Sequence, residues 1–185
     1  RFVAQIGDAL DDLLLHDLWL FAPAFLANAM PVIAKKIPGL HRWDTPIHAG
    51  FLGHHKTIRG FVTGVAAGMA LALLQFFMLG LGWLPDISDV LTSWPVSLLA
   101  GALLGGGALL GDLVESSFKR RIGIPPGHAL PVIDGIDYIL GAMLLLSPLY
   151  LPGIQSIVFL LIFAPIGSLV ANTGAYFLGW KKQWY

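Results

Sequence analysis

The sequence predicts an all-α, polytopic membrane protein of about five spanning helices, and three observations carry that prediction. Apolar residues make up 56% of the chain and charged residues only 12%, against roughly 25% charged in an average soluble domain. The apolar residues fall in long runs: 60–85, 90–111 and 138–180 carry no formal charge. Basic residues are also segregated, because all of the eleven except Arg1 lie in 31–59, in 119–121 or in the tail at Lys181 and Lys182.

The spans follow from the runs, since a helix needs about 20 apolar residues to cross a hydrocarbon layer of roughly 30 Å. A first span is expected over 9–30, with a polar start at Asp11, Asp12, His16 and Asp17 and an apolar second half. A second is expected over 60–83 and a third over 95–118. The long final run holds two, over 134–151 and 154–179, turned at Pro152-Gly153. With five crossings the three basic segments share one side, which the positive-inside rule makes cytoplasmic. The N-terminus is then outside, the C-terminus cytoplasmic, and the chain is expected in the cell membrane as a single transmembrane domain over 1–185. Gly101, Gly105, Gly106, Gly107 and Gly111, with Gly64 and Gly68, are read first as close helix packing and second as a gap for a substrate tail.

Composition also excludes chemistry. Without cysteine there are no disulfides and no thiolate metal sites. The six histidines lack metal-ligand spacing, which argues against zinc. The acidic opening residues do not resemble a cleavable signal. A net charge of zero points to no acidic or basic macromolecule, and no nucleic-acid partner is expected.

Polar residues concentrate at one end of the spans. Asp112, Glu115, Ser116 and Lys119 stand at i, i+3, i+4 and i+7 and so line one face of the third span. An ionisable group at the edge of an apolar run is a candidate functional site facing a polar cavity. Asp134 and Asp137 share a face at the start of the fourth span, behind the rigid loop Ile124-Pro125-Pro126-Gly127-His128. Carboxylates converging at one depth repel unless a cation lies among them. Oxygen ligands with spare positions suit Mg²⁺ held by one or two carboxylates plus a substrate phosphate. Lys56, Thr57 and Arg59 place two cations and a hydroxyl at the mouth of the second span. They form no Walker P-loop, and as a positive-inside flank they would need no further explanation.

Taken together these residues resemble the CDP-archaeol synthase family and, more distantly, CDP-diacylglycerol synthases. The resemblance rests on Gly111-Asp112-Leu113-x-Glu115-Ser116-x-x-Lys119-Arg120, on Pro126-Gly127-His128 and on Asp134-x-x-Asp137. Lys56-Thr57-x-Arg59-Gly60 is similar to the archaeal Lys-Thr-Trp-Arg-Gly motif, with Ile58 at the Trp position. Pro23-Ala24-x-x-Ala27-Asn28-x-x-Pro31 is similar to the first-span pattern. The resemblance implies a CTP-dependent lipid-phosphate cytidylyltransferase that makes CDP-archaeol and pyrophosphate from an unsaturated archaeal ether-lipid phosphate. It implies Mg²⁺ on Asp112, Asp134, Asp137 and Glu115, with Asp112, Asp134, Lys119 and Arg120 catalytic. Lys56, Thr57, Arg59, Asn28, Ser116 and His128 would bind substrate. The expected partners are CTP and a lipid phosphate in the membrane, with a homodimer left open. A phosphatidate-specific relative is the nearest alternative. A transporter would be expected to place its polar groups near the bilayer midplane. A CDP-alcohol phosphotransferase needs Asp-Gly-x-x-Ala-Arg, whereas Asp134-Gly135 is followed by Ile136-Asp137-Tyr138-Ile139.

Overall fold

The computed structural model describes the backbone of residues 2–82, 90–125, 128, 130 and 133–180, and the side chains of these except 2–14, 41 and 42. Lys181 and Lys182, which entered the orientation argument, and Pro126-Gly127 of the loop motif lie outside the described residues.

Among the described residues six α-helices follow one another, α1 (Phe2–Ala34), α2 (Ala49–Leu52), α3 (Ile58–Gly80), α4 (Trp94–Arg121), α5 (Ile133–Leu146) and α6 (Ile154–Phe177), with one 3₁₀ turn at Leu40–Trp43. Four helical stretches are long and apolar enough to cross a membrane: Leu15–Ala34 of α1, α3, α4 and α6. The chain is a membrane protein, and α3, α4 and α6 track the expected spans to within a few residues.

Two elements differ in length from expectation. The helix of the first span begins at Phe2, ahead of the expected start at residue 9. The expected 134–151 span becomes the 14-residue α5, about 21 Å long at 1.5 Å per residue. Pro148 disfavours helical backbone at Ser147, and Pro152 removes a further donor, so the apolar run continues past the point where the helix can.

Local chemistry fixes the other ends. Thr57 caps α3, its Oγ1 accepting from Gly60 N at 3.2 Å. Pro95 sits in the first turn of α4, where its missing N–H costs nothing. Lys119, Arg120 and Arg121 occupy its last turn, where cations complement the helix dipole. Gly123 follows with φ +82° and Ile124 N donates to Lys119 O at 3.0 Å, closing the helix.

The glycines act by absence. A Cβ at Gly68 would lie 2.8 Å from Gly101 O, and one at Gly101 would lie 2.7 Å from Met69 Cα, so α3 and α4 meet backbone to backbone. On another face of α4, Gly107 meets the Gly141 carbonyl and Gly111 the Asp137 carbonyl of α5 with no room for a side chain. Packing is therefore what these glycines do. Among those named for either role, Gly106 alone has no neighbour within 4 Å of its Cβ position. Leu20, Phe21 and Ala24 of α1, Leu104 and Ala108 of α4, Tyr138, Ile139 and Ala142 of α5, and Leu160 and Ala164 of α6 form the buried core. The Tyr138 hydroxyl donates to Ala164 O at 3.1 Å, satisfying its one polar atom.

Candidate active site

The site is built on the last two turns of α4. Glu115 and Lys119, four residues apart, are both buried and pair at 2.7 Å. The Lys119 ammonium also reaches Asp134 Oδ1 and Oδ2 at 2.8 Å each and donates to His128 O at 3.2 Å. Asp134 Oδ2 accepts from Leu130 N at 3.1 Å, so one carboxylate joins Lys119, the loop before α5 and the first turn of that helix.

The neighbouring carboxylates face each other. Asp112, Glu115 and Asp137 each offer an oxygen, and the three lie within 4.8 Å of one another. The close approach at Gly111 brings this about, because the Asp137 carbonyl rests against the residue that precedes Asp112. Lys56, from the loop before α3, pairs with Asp112 Oδ2 at 2.5 Å. Tyr138 N donates to Asp137 Oδ1 at 2.7 Å.

As ionised groups, Asp112, Glu115, Asp134 and Asp137 are balanced here by the two ammonium groups of Lys56 and Lys119. The carboxylates outnumber these ammonium groups. An all-oxygen donor set at one depth, with that deficit, fits a hard divalent metal. Among the described residues, Asp112, Glu115 and Asp137 could hold it.

Two guanidinium groups stand close in sequence to Lys56 and Lys119. Arg59 is 1% exposed and pairs through Nη2 with Asp44 Oδ1 at 3.0 Å. Its Nε and Nη1 are buried with no hydrogen-bond partner among the described residues, and the same holds for Nε and Nη1 of Arg120. Buried guanidinium N–H groups without partners are costly and are matched by phosphate oxygens.

A carboxylate triad met by two lysines in a bundle of apolar helices is the setting of a membrane enzyme, and comparison with known proteins specifies which. A family model described as CarS-like, CDP-archaeol synthase, matches residues 10–185. The chain belongs to the CDP-archaeol synthase family. It is 36% identical over 172 residues to the CDP-archaeol synthase of Thermococcus onnurineus, covering 91% of this chain and 95% of that protein. The Thermococcus gammatolerans CDP-archaeol synthase is 34% identical over 168 residues, with 89% and 92% covered. That of Methanospirillum hungatei is 38% identical over 139 residues, with 71% and 79% covered. A solved structure of an intramembrane enzyme for archaeal membrane lipid biosynthesis is similar at a TM-score of 0.68 and 30% identity, covering 86% of this chain and 94% of that one.

Within this CDP-archaeol synthase family member the other expected residues stand in different relations to the triad. Asp134, expected among the metal-binding carboxylates with Asp112, pairs with Lys119. Thr57 Oγ1 accepts from Gly60 N as the α3 cap. Ser116 Oγ is buried and lies 3.5 Å from Glu115 Oε2. His128 meets Lys119 through its carbonyl, leaving the side chain exposed. Asn28 is half-buried on α1, next to Ala27, whose carbonyl faces Gly64 of α3. Asp44, the partner of Arg59, was not singled out by sequence reasoning. Its signal was available: it is the lone acidic residue in the basic stretch 31–59.

Proposed function

We propose that this chain transfers a cytidylyl group from CTP to an unsaturated archaeal ether-lipid phosphate, 2,3-bis-O-geranylgeranylglyceryl phosphate, releasing pyrophosphate and forming CDP-archaeol. The observation that carries the reading is the Asp112–Glu115–Asp137 triad flanked by Lys56 and Lys119, in a chain of the CDP-archaeol synthase family. A lipid phosphate oxygen attacks the α-phosphorus of CTP, and the bond from that phosphorus to the bridging oxygen of the β-phosphate breaks. The nucleophile is a phosphomonoester with a second pKa near 6, so it is mostly ionised at neutral pH and no general base is assigned. Mg²⁺ bound by Asp112, Glu115 and Asp137 would supply charge neutralisation on the triphosphate. Lys56, Arg59 and Arg120 hold phosphate oxygens and orient them for in-line displacement. Lys119 keeps Glu115 and Asp134 in register, and Asp134 holds the loop carrying His128.

The test is purified protein with labelled CTP, Mg²⁺ and either the ether-lipid phosphate or phosphatidate. Label is expected in the lipid phase with the ether lipid. Label with phosphatidate alone would favour a CDP-diacylglycerol synthase, and no labelled lipid with either would overturn the reading.

Replacing Lys56 or Arg59 with Ala is expected to lower kcat/KM by about 10- to 100-fold, because a charge-assisted phosphate contact is worth roughly 1.5–3 kcal/mol. Unchanged kinetics in both variants would make them topology determinants only.

The proposed topology has five crossings, with α5 as the fourth, the N-terminus outside and the site at the cytoplasmic face of the cell membrane. Lys35, Lys36, Lys56, Arg59 and the end of α4 support that orientation. Because the chain has no cysteine, single cysteines report sidedness cleanly. One at His54 or Pro125 should react with an impermeant maleimide only from the cytoplasmic side, and one at Leu81 only from outside. Labelling of His54 and Leu81 from the same side would refute the topology.

A further inference from the structure

A second group of polar side chains lies far from the carboxylate triad. A Cβ at Gly60 would lie 3.1 Å from Pro31 Cβ, so that part of α1 sits beside the start of α3, close in sequence to Lys56. Asp17 stands fourteen residues earlier on α1, about 21 Å away at 1.5 Å per residue. Its side chain is 0% exposed, and the cytidylyltransfer reading gives it no role.

Three donors converge there. His16 Nδ1 lies 3.5 Å from Asp17 Oδ1, and Tyr150 Oη lies 3.4 Å from the same oxygen. Tyr150 follows the end of α5, where its N–H donates to Leu146 O at 3.0 Å. The His16 and Tyr150 rings approach to 5.6 Å between centroids. Both donor separations exceed ordinary hydrogen bonds, roughly 2.7–3.2 Å for N–H···O and roughly 2.5–3.0 Å for O–H···O. They match a different geometry: two ligands about 2.0–2.2 Å from one tetrahedral ion stand roughly 3.3–3.6 Å apart.

The carboxylate itself asks for a cation. Asp17 Oδ2 is buried and has no hydrogen-bond partner among the described residues, an arrangement that is costly until something meets that oxygen. An ionisable group inside an apolar span is a mark of function. One imidazole nitrogen, a carboxylate and a phenol oxygen suit a divalent transition metal better than Mg²⁺, which takes oxygen ligands. Spacing along the chain does not reveal this set, because Tyr150 is 133 positions from Asp17.

We propose that His16, Asp17 and Tyr150 bind a divalent transition-metal ion of the Zn²⁺ type, at a site separate from the catalytic one. The ion ties the start of the apolar part of α1 to the turn between α5 and α6, and it meets the oxygen of Asp17 that no protein group serves.

Co²⁺ is the probe, used on the full chain carrying Asp112→Asn and Asp137→Asn so that the triad does not compete. A single equivalent is expected to bind with the strong visible absorption of a four-coordinate ion, and Zn²⁺ should displace it. Adding His16→Ala, Asp17→Asn or Tyr150→Phe should weaken binding by on the order of 100-fold, since losing only an outer partner of a metal ligand already costs roughly 10- to 100-fold. Tyr150→Phe keeps the ring and decides the matter if Asp17→Asn does not fold. His54→Ala and His55→Ala alter exposed imidazoles elsewhere and should change nothing. In the same background Zn²⁺ should raise the melting temperature, and Tyr150→Phe should cancel most of that rise. Co²⁺ binding that survives both His16→Ala and Tyr150→Phe would overturn the proposal. So would binding lost with His54→Ala or His55→Ala, or the weak absorption of a six-coordinate ion. None of these readouts depends on CDP-lipid formation.

Discussion

Asp112→Asn and Asp137→Asn should each reduce turnover by on the order of 10²–10³-fold while the protein stays folded in detergent. Asn preserves shape and removes charge, so the substitution tests electrostatics rather than packing. Losing one preorganised charged group at a site of this kind costs about that much. Both residues face the same point, with oxygens within 4.8 Å of each other and of Glu115. The double variant should therefore be little worse than either single one, since residues acting as a unit are not additive. Binding of Mn²⁺, read by its paramagnetic resonance signal without nucleotide, should weaken in step. Asp134→Asn is the informative contrast. Its carboxylate engages Lys119 and Leu130 N, so activity should fall while Mn²⁺ binding in the absence of nucleotide is largely kept. Near-normal rates for Asp112→Asn and Asp137→Asn at ordinary Mg²⁺ concentration would place the metal elsewhere.

Lys119→Met should be the most destabilising substitution of a charged residue in the site. The Lys119 side chain is 7% exposed and Glu115 6%, against 31% for Asp134. Breaking a buried pair by removing one partner costs roughly 3–5 kcal/mol, because the other charge is left unpaired. The partial exposure of Asp134 puts the expected loss at the lower end, about 3 kcal/mol. Adding Glu115→Gln should restore most of the stability, since it removes the uncompensated charge, but it should not restore turnover. Thermal unfolding in detergent, followed with activity, checks both halves. A melting temperature equal to that of the unaltered protein would show that water reaches these carboxylates freely.

How much of this was legible in the sequence depended on how far apart the partners lie. The face Asp112–Glu115–Ser116–Lys119 was readable because helical spacing alone aligns it, and α4 follows its uncharged run closely. Asp134 and Asp137 were readable as neighbours but not as having different partners. Their separation follows from Gly111, which seats α4 against the Asp137 carbonyl and leaves Asp134 beside Lys119. The Lys56–Asp112 pair joins residues 56 positions apart, and nothing local announces it. The length of α5 was misjudged because hydropathy runs on through Pro148 and Pro152, where helical hydrogen bonding cannot.

The seam between α4 and α5 has a consequence for any survey of sequence tolerance. At Gly107, Gly111 and Gly141 even alanine collides with backbone atoms of the neighbouring helix. In a saturation library selected for growth, these positions would score as intolerant as Asp112 and Asp137, although no ligand need touch them. Depletion scores alone would draw the boundary of the active site too wide, by one helix turn along α4. Counting folded protein alongside growth would separate the two groups: the glycine variants vanish from both readings, and the carboxylate variants from growth only.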